Sequence, residues 1–136
     1  MKNEKIIVID ASEGTLGRIA SLAAKKALLG YEVKVVNCEK AIIIGRRKNI
    51  IEEYIIKRVR GGSSQKGPHF PKSPEMLMKR TVRGMLSYKK GRGGDAFKRI
   101  MCYNGIPKEF EKNKKIDAKK ENAGKSMTLN SLSGEI

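Results

Sequence analysis

Short apolar runs alternate with amphipathic stretches through the first hundred residues. Lys5–Asp10 (KIIVID) is a continuous apolar run ending in an acid, the pattern of a strand buried in a parallel sheet. After a tight connection at Ala11–Gly14, Thr15–Leu29 is predicted to be a helix. Leu16, Ile19, Ala20, Ala23 and Ala27 share one side, and the alanines imply close approach to a sheet. Gly30 is its stop signal. Glu32–Asn37 (EVKVVN) predicts a second strand, Cys38–Lys40 a turn and Ala41–Ile44 a third short strand that Gly45 breaks. Arg46–Arg60 predicts a second helix with Ile51, Tyr54, Ile55 and Val59 on its apolar side. Gly61–Lys72 (GGSSQKGPHFPK) is too rich in glycine and proline for an element and is expected to be an extended loop.

Ser73 followed by Pro74 then marks a helix start. Glu75 falls in the first turn, where a carboxylate suits the dipole. Over Pro74–Leu86, Met78, Val82, Met85 and Leu86 form one stripe, and Lys79, Arg80 and Arg83 fall on the other side. Gly91, Gly93 and Gly94 are expected to break up regular structure. Lys98–Tyr103 (KRIMCY) supplies a fourth strand, closed by Asn104, Gly105 and Pro107. Strands with helices between them make an α/β class with right-handed crossovers. From Lys108 the composition turns lysine- and glutamate-rich with few apolar anchors, a stretch that would be poorly ordered alone. Met127–Ile136 offers a short helix capped by Thr128 with Leu129 and Leu132 on one side. The expected organisation is a core domain over residues 1–107 and a polar C-terminal tail over 108–136. At 136 residues the chain can bury one substantial core.

Charge changes the picture most. The net charge is +16, and between Lys57 and Arg99 thirteen basic residues face two acids, Glu75 and Asp95. An ordinary solvated surface helix could carry Lys79, Arg80 and Arg83 alone. So concentrated an excess instead predicts a polyanion that neutralises it, because like charges repel and oppose compactness. Aromatics make up only 5% and tryptophan is absent, which argues against a stacking platform for single strands and for recognition of phosphates and folded shape.

The remaining chemistry is sparse. Cys38 and Cys102 have no CxxC spacing, so neither a zinc site nor a disulfide framework is indicated, and buried free thiols in a reducing compartment are expected. His69 is the one histidine and has no partner for metal or triad chemistry. No apolar run approaches the ~18 residues of a membrane span. The apolar run near the N-terminus is too short for a signal peptide, so a soluble cytoplasmic protein is expected. Glu13-Gly14-Thr15-Leu16-Gly17 lies where a nucleotide-binding fold cradles pyrophosphate, but Ser12 replaces the first glycine of GxGxxG and no P-loop run exists. A small nucleotide-binding α/β enzyme with an incidental basic face is therefore the rival reading. A DNA-binding regulator would need helix-turn-helix spacing or heptads, and neither is present.

Several segments resemble one family. VRGMLSYKKGRGGDAFKRIMCYNGIP, from Val82 to Pro107, is similar to the central signature of the universal large-subunit ribosomal protein family L13. VIDASEGTLGRIAS and VVNCEKAIIIG resemble its opening strand, glycine turn, helix and following strand pair. PHFPKSPEMLMKRTVRGML resembles the archaeal and eukaryotic branch, and the short chain and a terminal TLxxLS turn resemble archaeal members. The resemblance covers about residues 5–107. It implies a Rossmann-like parallel four-stranded sheet flanked by helices, with a basic loop and an extended C-terminal tail. It also implies no enzymatic activity, no cofactor and no small-molecule substrate. The implied partners are large-subunit ribosomal RNA and neighbouring large-subunit ribosomal proteins.

The residues expected to meet RNA follow from the charge pattern. They are Lys57, Arg58 and Arg60 at the end of the second helix; Lys66, His69 and Lys72 in the loop; Lys79, Arg80 and Arg83 on the third helix; and Lys89, Lys90, Arg92, Lys98 and Arg99 around the glycines. Their contacts would be mainly to phosphates.

Overall fold

The structure is a computed structural model and describes residues 6–59, 73–87, 89, 91–117 and 125–135. β1 (Ile6–Asp10) lies inside a four-stranded parallel sheet with β2 (Glu32–Val36), β4 (Ile100–Cys102) and β5 (Lys115–Asp117), in the order β4-β2-β1-β5. The apolar character of β1 and of the helix-facing side of β2 follows from that position: each has a neighbour on both edges, while on the other face Ile6 is exposed and Glu32 and Lys34 are half-buried.

Among the described residues four further helices accompany α1 (Leu16–Leu28): α2 (Arg47–Val59), α3 (Pro74–Gly84), α4 (Gly91–Lys98) and α5 (Leu129–Glu135). The steps β1 to β2 and β2 to β4 move the same way across the sheet. Right-handed connections therefore put α1, α3 and α4 on one face, where α1 touches both others. Ile7 and Ile9 of β1, Val33 and Val35 of β2, and Ile100 and Cys102 of β4 point into that layer. Ala20, Ala23 and Ala27 are fully buried, which lets α1 lie close to the strands. Ile9 and Ile19 are fully buried between strand and helix, worth about 1.5–3 kcal/mol each. The return from β4 to β5 covers the opposite face, where Phe110 packs on Val8 and Val36 and meets the Tyr103 ring at 5.9 Å.

Four expectations change. The sheet has four strands, but the third in sequence is not among them. β3 (Ile42–Ile44) leaves the sheet and pairs antiparallel with β6 (Ser126–Thr128). The chain is redirected at Asn37, whose φ is +58°, and Ile42 donates its N–H to the Gly14 carbonyl at 2.9 Å instead of to a sheet strand. The vacant edge of β1 is filled by β5, from the lysine-rich stretch that composition marks as poorly ordered alone. A strand edge can recruit polar residues, because the ladder is made by backbone groups.

The glycine segment forms α4 rather than irregular chain. A Cβ on Gly93 would lie 2.3 Å from the Ser87 carbonyl oxygen, so glycine there lets the helix rest against that backbone. The apolar side of α2 is also rotated from expectation: Ile50 is buried, Ile51 and Tyr54 are half-buried, and Ile55 is exposed.

The terminal helix forms as expected, with Ser131 donating its N–H to the Thr128 hydroxyl at 3.1 Å. Leu129 and Leu132 are fully buried in the main core, so residues 126–135 close over the helical layer. Both cysteines are buried and reduced. Contact with the Cys102 thiol and burial push the Cys38 thiol far up its pKa range, so it stays protonated.

Candidate nucleic-acid interface

α3 begins with Ser73 in an extended conformation and Pro74 at the first helical position, although the Ser73 hydroxyl makes no capping bond. Pro74, Leu77, Met78 and Val82 are buried against α1 and the sheet. Leu86 is buried just beyond the helix, and Met85, which the stripe pattern includes, is 45% exposed. The helix ends at Gly84, so Met85 is not held to the helical period. Lys79, Arg80 and Arg83 occupy the other side of α3, each half-buried, with exposed Met76 among them. Half-burial suits such side chains, whose stems lie along the protein while the charged ends reach outward.

α2 and α4 extend this surface. Lys79 Nζ stands 5.2 Å from the Phe97 ring centroid and 3.7 Å from the Met101 sulfur, tying α3 to α4 and β4. Lys57 of α2 lies 4.6 Å over the Tyr54 ring and 3.4 Å from Glu53. Burial first, and then the Glu53 charge, raise the Tyr54 pKa, so the phenol stays neutral. Lys57 and Arg80 line one groove of about 500 Å³, with Thr15, Gly17, Ile44 and Gly84 among its other walls. The charge pattern points to the cations of this groove but not to its uncharged walls. Two glycines in helical stretches are the only sequence signal that could have marked them.

Not every expected contact residue faces outward in the same way. Arg99 donates to the Ala27 carbonyl at 2.8 Å and Arg92 to the Leu28 carbonyl at 3.3 Å. Both cations thus satisfy the last carbonyls of α1 and oppose the negative end of its dipole. Lys89 and Lys98 are exposed. Arg60, Lys66, His69, Lys72 and Lys90 lie outside the described residues, as does the side chain of Arg58.

The carboxyl ends of the strands, where α/β sheets hold small ligands, are laced together by the protein itself. Glu13 donates its N–H to the Lys40 carbonyl at 3.1 Å and Gly14 to that of Ala11 at 3.1 Å, so these two N–H groups are not directed at a phosphate. Asp10 accepts hydrogen bonds from Ser12 N–H and Asn37 Nδ2, both at 3.0 Å. Burial alone would raise the Asp10 pKa. The bonds from Asn37 and Ser12, with the charge of Lys115, outweigh it and hold the carboxyl below its ordinary value. Glu39 accepts the Gly105 N–H at 3.0 Å. These acids join loops. Among the described residues no cluster of three His, Cys, Asp or Glu side chains could hold a metal, and no helix is long and apolar enough to cross a membrane.

Comparison with known proteins adds a second line of evidence. Residues 4–109 match the model of the family described as Ribosomal protein L13. A protein of Archaeoglobus fulgidus named Large ribosomal subunit protein uL13 is 49% identical over 104 residues, which cover 76% of this chain and 66% of the relative, just under two thirds of its length. The protein of the same name from Methanosarcina barkeri is 50% identical over 105 residues, 76% of this chain and 74% of the relative. That of Methanocaldococcus jannaschii is 42% identical over 132 residues, 95% of this chain and 96% of the relative. These archaeal relatives bear out the resemblance drawn from the motifs.

Proposed function

The chain belongs to the ribosomal protein L13 family, and on that premise we propose that it is a structural constituent of the large ribosomal subunit. The family is one of ribosomal proteins and not an enzyme class. In this reading the sheet and its helices are a rigid support, and the basic side of the molecule lies against folded ribosomal RNA in the cytoplasm. The core domain over residues 1–107 would carry the RNA-holding surface, and the described parts of the C-terminal stretch, β5, β6 and α5, complete the sheet and core. Neighbouring large-subunit proteins complete the setting.

The observation that carries the reading is α3. Its apolar side is held by α1 and β4, so Lys79, Arg80 and Arg83 are presented together from a fixed helix. Lys57 shares a groove with Arg80, Lys89 and Lys98 are exposed further along the chain, and Arg92 is held at the C-terminal end of α1. The loop cations Arg60, Lys66 and Lys72, with Lys90 and His69, belong to the same proposed contact set. Arg99 contributes mainly by anchoring α1. Contacts of this kind give affinity and orientation through phosphates, and the RNA's folded shape supplies specificity.

Co-sedimentation with large ribosomal subunits after a moderate salt wash tests the reading, and retention is the expected result. If six to ten phosphates are neutralised, affinity for large-subunit RNA should fall by about 10³–10⁵ between 50 and 200 mM salt. Binding that ignores salt would overturn the electrostatic account.

A further inference from the structure

The groove between the start of α1, β3, α2 and α3 has two walls that the protein's own packing does not explain. Gly17 and Gly84 both line it. Both belong to helices, and neither has the positive φ found at Gly30, Gly45 and Gly105. Among the described residues, a Cβ added at either would meet no atom within 4 Å beyond its chain neighbours and its own helix backbone. Gly17 is the second residue of α1 and Gly84 the last of α3, and at neither end does a positive φ or a close contact among the described residues require glycine. Gly93 is the contrary case, because the Ser87 backbone requires it.

The same groove receives two cations from different helices, Lys57 from α2 and Arg80 from α3. Lys57 is steered there by Glu53 and by the face of Tyr54. Thr15 stands at the rim and uses no side-chain cap bond, whereas the Thr81 hydroxyl is committed to the Leu77 carbonyl at 3.0 Å. Helical backbone laid open at two glycines, with a cation from each of two helices and Leu16, Ile43, Ile44 and Tyr54 as apolar walls, suits a chain that needs close approach, charge neutralisation at intervals and apolar contact for its sugars.

We propose that this groove seats the sugar–phosphate backbone of one strand of ribosomal RNA, with Gly17 and Gly84 admitting the sugars and Lys57 and Arg80 holding phosphates. Thr15 offers a hydroxyl to a phosphate or a 2′-hydroxyl. This rests on the RNA-binding reading above and names one place where the strand lies.

The test uses substitutions that strengthen a helix while filling the groove. Wild type, Gly17→Ala, Gly84→Ala and Gly84→Leu are compared for binding to deproteinised large-subunit RNA at fixed salt and for melting temperature. Melting temperatures should be unchanged or raised by up to about 4 °C. Affinity should fall, by about tenfold or more for Gly84→Leu and less for the alanines. Lys57→Ala with Arg80→Ala should weaken binding similarly. If Gly84→Leu does not fold, the two alanine variants decide. Equal affinity of the folded glycine variants and wild type would overturn the groove while leaving the RNA reading intact. Failure of wild type itself to bind the RNA would instead remove the reading on which it rests. Normal RNA affinity with lost incorporation into large subunits would also overturn it, in favour of a protein occupant.

Discussion

α3 holds Lys79, Arg80 and Arg83 away from the core, whereas α5, from an equally polar part of the chain, turns Leu129 and Leu132 into it. The first region has a strong chemical signature in composition. The second, with the strands β5 and β6 that precede it, has almost none, yet this stretch supplies a sheet strand, the partner of β3 and part of the main core. Composition reports what a segment offers to solvent and to polyanions. It is nearly blind to a few apolar residues placed where another part of the molecule has left a gap.

The contrast can be broken most severely at the C-terminal closure. Leu132→Ala should destabilise by about 2–5 kcal/mol, because the side chain is fully enclosed and the helix around it cannot collapse freely. Denaturant unfolding measures this, and a change under ~0.5 kcal/mol would mean the tail is not part of the core. Next in size is Gly93→Ala, which sets a methyl group against the Ser87 backbone and should cost about 1–3 kcal/mol by the same assay.

On the basic side the effects should appear in binding and not in folding. Replacing Arg80 and Arg83 together with alanine should leave stability within about 0.5 kcal/mol while lowering the salt slope of RNA affinity by about one for each lost phosphate contact. Unfolding of this double variant would make the arginines structural and erase the distinction between the regions.

The smallest effect concerns acid. The Asp10 pKa is held below its unfolded value, so its contribution to stability is present above about pH 4 and is lost as pH falls through the folded value. Asp10→Asn should therefore flatten the pH dependence of unfolding in that acid range. An unchanged acid profile would show that the bonds from Asn37 and Ser12 do not favour the charged form.

Periodicity and charge by themselves determined the α/β class, β1, α1, β2, α3 and the terminal helix, together with where the cations crowd. Those features are local: side-chain repeat and like-charge density are set by neighbours in sequence. The departure of β3 from the sheet, the recruitment of β5, the helix at Gly91–Lys98 and the anchoring work of Arg92 and Arg99 were decided only in three dimensions. Each depends on a backbone group or a space offered by a distant segment, such as the open edge of β1, the Ser87 backbone or the last carbonyls of α1. Such offers exist only once the chain has folded, so no pattern along the sequence carries them.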